Sequence, residues 1–263
     1  MGITVYSATG CVRCNIVKAW LKEKGMSFEE QNIRTDEGDA AFKVFYKANR
    51  KSVRRDASGI FFPIFQDGEI IRQDAGSVLS YLIAGDALDA AVTPNNLGHG
   101  WTGGLSLAPE IGDKDAFVEV VRRMRQGGLK IFMATNGNNG DVLETLTKEG
   151  LIDCLEFDLL GPASVYQAAD IDTARVEASM ACLGRLPKAR VICRIADQAP
   201  ETVAEAAQWL AQAAGSNKLA FGVALADADS EVNLFRYRTA ARRYQVMTDI
   251  FKDTDPAKFA LAN

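Results

Sequence analysis

Apolar and polar positions fall into two textures along the chain. From Ile3 the residues Ile-Thr-Val-Tyr-Ser alternate with the period of a strand, and after Ala8-Thr9-Gly10 the apolar positions Ile16, Val17, Trp20 and Leu21 take the spacing of a one-faced helix. Gly25 closes that helix, and residues 27–33 read as a second strand. Further on, Ile64-Phe65 and Ile70-Ile71 flank Asp67-Gly68, which predicts a β-hairpin. This first texture ends at Ile83-Ala84-Gly85-Asp86 and gives way to small residues over 87–93. Beyond residue 94 the alternation becomes regular. Apolar strand candidates at 105–108, 129–134, 152–159, 189–195 and 219–225 are each followed by an amphipathic helical stretch, at 113–125, 141–148, 173–183, 200–214 and 230–244. Pro200 stands at a helix start, while Gly127-Gly128 and Gly150 stand at helix ends. Repeated βα units with strands apolar on both sides imply a parallel sheet covered by helices, so the fold class is α/β.

The chemistry sits at the first strand-to-helix junction. Residues 11 to 14 read Cys-Val-Arg-Cys. A thiolate at a helix N-terminus faces unpaired backbone N–H groups and the positive end of the macrodipole, which lowers a thiol pKa from ~8.5 to roughly 3.5–7.5. Cys11 is the candidate nucleophile. Cys14, one turn later on the same face, is placed to attack a mixed disulfide on Cys11 and release a reduced substrate. Other readings of the pair are half a zinc site, a Cys-His protease and an inert buried pair. Zinc needs four ligands, yet Cys154, Cys182 and Cys193 stand alone in sequence and His99 is the only histidine, inside a Gly-rich stretch.

The stretch from Ile3 to Ile33 resembles the glutaredoxins, and within them the small redoxins that reduce ribonucleotide reductase, whose dithiol is often Cys-Val-Gln-Cys. The segment Gly59-Ile-Phe-Phe-Pro-Ile-Phe-Gln-Asp-Gly-Glu-Ile-Ile71 is similar to that family's strand beginning at a cis-proline. The resemblance implies a thioredoxin fold over residues 1–86, a redox-active Cys11–Cys14 disulfide with no bound cofactor or metal, and Pro63 lying against the dithiol to orient a substrate chain. An ordinary trans proline opening an edge strand is the other reading of Pro63. Departures narrow the implied substrate. Ala8 and Thr9 stand where the family carries a basic residue, and Arg72-Gln73-Asp74-Ala75-Gly76 replaces its Gly-Gly-Asp segment. Of the glutathione ligands only Asp74 carries over, so the resemblance favours a protein disulfide as substrate, with glutathione or a thioredoxin reductase as reductant.

Within an expected second domain of residues 94–263, about residues 100–165 carry a second resemblance, and the later βα units agree with it only in pattern. The segments Gly103-Gly-Leu-Ser-Leu-Ala-Pro-Glu110, Gly128-Leu-Lys-Ile-Phe-Met-Ala-Thr-Asn-Gly-Asn138 and Gly150-Leu-Ile-Asp-Cys-Leu-Glu-Phe-Asp-Leu-Leu-Gly-Pro162 follow the order and spacing of the glycyl-radical-enzyme activases of the radical S-adenosylmethionine superfamily. The cluster-binding CxxxCxxC loop of those enzymes is missing, and Leu105-Ser106 replaces the Glu-Pro of their Gly-Gly-Glu-Pro strand. The expectation is a partial TIM barrel without radical chemistry, with Thr135, Asn136 and Asp158 at the strand ends. Paired with a reductase-type redoxin, it suggests ribonucleotide reductase or another glycyl-radical enzyme as the partner. An open barrel edge has to be covered, by the redoxin region or by a second copy of the chain, so a homo-oligomer is an expected state.

Charge adds one feature. The chain of 263 residues carries 34 acidic against 30 basic side chains, a balance that speaks for solubility. Against that background Lys43, Lys47, Arg50, Lys51, Arg54 and Arg55 crowd into a short segment. This reads either as a solvated helix face or as a docking surface for an acidic partner. Nucleic-acid binding is not expected, because no recognition motif accompanies the cluster. No apolar run reaches the ~18 residues of a membrane span, and the sequence begins directly with a strand, so a cytoplasmic protein is expected. Five mostly isolated cysteines fit a reducing compartment.

Overall fold

Strand β1 (Ile3–Ser7) is flanked on both sides, by β2 (Phe28–Asn32) in parallel and by β5 (Ile64–Asp67) antiparallel. A computed structural model describes residues 2–56, 59–98, 100–187, 189–195, 200–215, 220–225 and 247–249. β6 (Ile70–Gln73) completes the order β2-β1-β5-β6. Helices α1 (Val12–Glu23), α2 (Asp36–Asn49) and α3 (Ala75–Ala84) complete the arrangement expected of a thioredoxin-type fold.

Side-chain pattern explains each element. Val5, Tyr6 and Ser7 are all buried, because β1 is covered on both faces. Tyr6 packs among Phe42, Phe45, Tyr46 and Phe62, so α2 closes one face of the sheet with an aromatic cluster. Helix α2 starts where the Thr35 hydroxyl accepts the Gly38 N–H at 3.1 Å, with Asp36, Glu37 and Asp39 in the first turn. Cys14, Val17 and Leu21 of α1 are fully buried at helical spacing. The predicted hairpin forms with the loop one residue later, over Gly68-Glu69, where Gly68 takes a positive φ of 59°. A short hairpin of β3 (Arg55–Asp56) and β4 (Gly59–Ile60) begins at the end of the basic segment; two residues per strand are too few to show a period.

The chain divides into two compact units, Met1–Leu105 with Ile111–Ile131, and Ser106–Glu110 with Phe132–Asn263. The first therefore holds β7 (Asn96–Gly98), most of β8 (Trp101–Ser106) and α4 (Lys114–Gln126) beside the elements above. β8 begins four residues before the predicted strand at 105, because Trp101 and Thr102 pair back onto β7 within a segment whose glycines read as a loop. Helix α4 opens where the Asp113 carboxylate accepts the Ala116 N–H at 2.9 Å, and it buries Phe117, Val120, Val121 and Met124. It lies directly on α1. A Cβ at Gly127 would overlap the Ile16 side chain, and Arg123 forks onto Glu23 at 2.6 and 2.9 Å.

β9 (Lys130–Thr135), whose last four residues belong to the second unit, runs parallel and in sequential order with that unit's β10 (Cys154–Leu159), β11 (Ala189–Ile195), β12 (Ala220–Leu225) and β13 (Met247–Asp249). Between them lie α5 (Gly140–Lys148), α6 (Ala163–Ala168), α7 (Thr173–Leu183) and α8 (Pro200–Ala214). β9 to β12 with α5, α7 and α8 are the βα repeats that the apolar alternation predicts; β13 has no counterpart among the strand candidates. α6 is a six-residue addition, too short to leave a period, and is pinned by Tyr166, whose buried hydroxyl accepts the Leu160 N–H at 3.0 Å. The helix expected at 230–244 lies outside the described residues.

Candidate redox site

The site begins where β1 can no longer continue. Gly10 takes a φ of +79°, and the Cys11 N–H bonds to the Ala8 carbonyl at 3.1 Å, so the chain turns sharply into α1. Cys11 is the N-cap of that helix. Its sulfur accepts the backbone N–H of Cys14 at 3.1 Å, and the two residues form a disulfide with their Cα atoms 5.3 Å apart. The two sulfurs are not equivalent. Cys14 is fully buried, whereas Cys11 is only half-buried, beside a Val12 that is 49% exposed. An incoming group therefore meets Cys11 first.

Pro63 stands at the same end of the sheet. Tyr6 pairs with Ile64, so Pro63 is the residue opposite Ser7, from which the chain leaves for the dithiol turn. The Phe62–Pro63 bond is cis, as the resemblance implies. The carbonyl of Pro63 accepts the Asp74 N–H at 2.9 Å. Gln73, itself buried, donates to the carbonyls of Arg54 and Phe61, each at 3.2 Å, and accepts the Arg54 N–H at 2.6 Å. One side chain thus ties the basic segment to the residues leading into Pro63.

Asp74 lies in a covered position at the start of α3, with φ at +67° and 1% exposure. One carboxylate oxygen accepts the Asn95 N–H at 3.4 Å; the other faces Arg13 Nε at 3.6 Å, an ion pair too long for a hydrogen bond. Burial pushes the Asp74 carboxyl up to about 6, against the opposing pull of Arg13 and of the backbone N–H groups of Asn95, Ala75 and Gly76. Burial likewise lowers the Arg13 pKa, with Asp74 acting the other way. The Arg13 guanidinium also donates to the Trp101 carbonyl.

Sequence reasoning did not assign Arg13, Gln73, Asn95 or Trp101 to this site. For Arg13 a signal exists. A cation in the first turn of a helix opposes the macrodipole, so its place between the two cysteines calls for a carboxylate nearby, which Asp74 supplies. The other three act through backbone groups, which side-chain patterns do not reveal.

Other candidate groups belong to the second unit. Cys154, Cys182 and Cys193 are buried and outside any disulfide. Burial pushes Cys193 up to about 12, and the Cys182 sulfur accepts from Arg185 at 3.2 Å. Thr135 is buried and caps the Gly137 N–H at 3.1 Å. Asn139 spends its amide on the carbonyls of Leu107 and Pro109 at 2.7 and 2.8 Å. The strand-end loop after β9 is thus held by its own polar groups. His99 lies outside the described residues, and among those residues no group of three His, Cys, Asp or Glu could hold a metal ion. Nor is any described helix long and apolar enough to cross a membrane.

The strand-turn-helix unit presents a cysteine pair at its helix start, the arrangement that thiol–disulfide exchange uses. Residues 3–53 match the glutaredoxin family model. No curated protein matches the chain. The family match and the Cys11–Cys14 pair together support thiol–disulfide oxidoreductase activity.

Proposed function

We propose that the protein is a dithiol electron donor that reduces a disulfide in another protein. The observation carrying this reading is the asymmetry of the pair, a half-exposed Cys11 at the helix cap bonded to a fully buried Cys14. In the reduced form the Cys11 thiolate attacks one sulfur of the substrate disulfide; that S–S bond breaks, one substrate thiolate leaves, and a mixed disulfide forms. The Cys14 thiolate then attacks Cys11, the mixed disulfide breaks and the second substrate thiolate is released. Two electrons pass to the substrate, and the Cys11–Cys14 disulfide remains to be reduced by an external thiol or dithiol donor, glutathione or a thioredoxin reductase. Pro63 orients the substrate chain beside the dithiol. Asp74 is the residue that would hold a glutathione amino group, and its cover by Arg13 and Asn95 supports a protein substrate instead.

Resemblance of both parts of the chain supports a ribonucleotide reductase or another glycyl-radical enzyme as the substrate. In this reading a redox domain of residues 1–86 precedes a partial barrel of residues 94–263 that has no cluster, in a cytoplasmic protein able to form homo-oligomers. Turnover tests the reading. The prereduced protein should reduce a peptide disulfide repeatedly with a dithiol donor present, and Cys11→Ser should abolish this. Stoichiometric oxidation without turnover would sink it, and would favour a second reading in which the dithiol is a sensor. That reading has its own support, since Arg13 links the dithiol turn to the Trp101 carbonyl of β8.

A further inference from the structure

Among the described residues, five cations of the basic segment have no acidic partner. Lys43 pairs with Asp39 at 2.6 Å along α2. Lys47, Arg50, Lys51, Arg54 and Arg55 are all exposed, and none has an ion-pair partner among the described residues. Complementing the helix dipole accounts for Lys47 and Arg50 at the end of α2. It does not reach Lys51, Arg54 and Arg55, which lie beyond the helix cap on the way into the β3–β4 hairpin. The concentration of positive charge also runs against the chain as a whole, which is acidic by four charges.

Two further observations place and shape this surface. Val44, one turn before Lys47 and Ala48 on the same helix face, is 73% exposed, an apolar side chain standing among cations. The segment is also fixed to the redox site. Gln73 binds the Arg54 backbone in both directions and the Phe61 carbonyl, and Phe62 packs against Phe42 of α2 at 5.5 Å between ring centroids. Phe61 and Phe62 lead directly into Pro63, opposite the strand end that feeds the dithiol turn.

We propose that the face formed by Val44, Lys47, Arg50, Lys51, Arg54 and Arg55 docks an acidic polypeptide segment flanking the disulfide of the substrate protein. The inference rests on the reductase reading and gives its substrate a chemical class. Carboxylates on the substrate meet unpaired cations, the single apolar side chain takes a central contact, and a rigid link holds the pair at a fixed reach from Pro63. Charge at such a rim acts mostly on the encounter rate and fades with salt.

The test uses the prereduced full chain and two synthetic peptides that share one intramolecular disulfide, flanked either by aspartates or by serines. The rate of Cys11–Cys14 oxidation should be about tenfold higher for the aspartate peptide at about 0.02 M salt, and the ratio should fall to within about twofold at about 0.5 M. In the triple variant Lys47→Ser, Lys51→Ser, Arg55→Ser the ratio should drop to about one at low salt. Taking the ratio divides out any general loss caused by the substitutions. Binding of a disulfide-free aspartate peptide, followed by fluorescence anisotropy, reads the docking step alone and should be salt-sensitive and lost in the triple variant. No preference for aspartate, or a preference that survives the triple variant, overturns the proposal while leaving the reductase reading in place. Binding without any oxidation by either peptide overturns the reductase reading and keeps the docking face. A short oligothymidine that binds more tightly than the aspartate peptide, or salt-sensitive self-association lost in the triple variant, would assign the face to nucleic acid or to a second copy and overturn the proposal.

Discussion

Cys11 combines three properties that no other cysteine of the described residues shares: partial exposure, a helix-cap position and a backbone N–H aimed at its sulfur. Each favours the thiolate or its encounter with a substrate. The reduced protein should therefore show one fast-alkylating thiol, with a pH midpoint below that of a free cysteine, and Cys11→Ser should remove it. Iodoacetamide kinetics followed by mass spectrometry check this; uniform slow alkylation would contradict it. Asp74 gives a second prediction at this scale. Its folded pKa of about 6 exceeds the ordinary value of 3.8, so the folded chain binds this proton more tightly than the unfolded chain. The contribution to stability is fully present below the unfolded value and is lost as pH rises through about 6. Relative to Asp74→Asn, the wild type should gain on the order of 1 kcal/mol on going from about pH 7.5 to about pH 5. Denaturant unfolding at both pH values measures this, and parallel pH profiles for the two proteins would contradict it. The cysteines were legible in the sequence because a CxxC at a strand-to-helix break needs only local pattern. The environment of Asp74 was not, since its burial comes from Arg13 and Asn95, on two other parts of the chain.

Among elements, α4 does what the repeat pattern alone does not foretell. Its periodicity and its Asp113 cap are plain in the sequence, and the predicted span 113–125 differs from the observed helix by one residue at each end. Its neighbours are not plain. Amphipathicity says that a helix has an apolar face but is silent on what covers that face. Here α4 lies against α1, and Gly127 allows the approach. Gly127→Ala should force its methyl into Ile16 and cost about 1–3 kcal/mol, read from chemical denaturation. Adding Ile16→Val should recover part of that loss, whereas simple additivity of the two changes would contradict the contact. The β7–β8 hairpin and α6 escaped the sequence reading for different reasons. The first hides in a Gly-rich stretch, and the second spans fewer than two turns.

For the whole molecule, composition marks a change of texture near residues 83–93, while the compact first unit also takes in Ile111–Ile131. The reason is visible in α3. Ala75 through Ser80 are all buried, which a helix achieves only when covered on every side, and Gly76 meets Val92 and Met124 at 3.4 and 3.3 Å from its Cβ position. A fragment of residues 1–86 should accordingly bind hydrophobic dye and melt at a lower temperature than a fragment of residues 1–131. Equal melting temperatures without dye binding would contradict this. The βα order of the second unit was readable because β9 to β12, α5, α7 and α8 are each long enough to show their own period, unlike the six-residue α6 and the three-residue β13.

The account turns on which sulfur attacks and which resolves. Mixing a peptide disulfide with the prereduced Cys14→Ser variant, and separately with Cys11→Ser, then weighing the products by intact mass, tests this directly. A stable one-to-one mixed disulfide on Cys11 in the first variant and none in the second is the predicted result. Adduct on the second variant, or on neither, would contradict it.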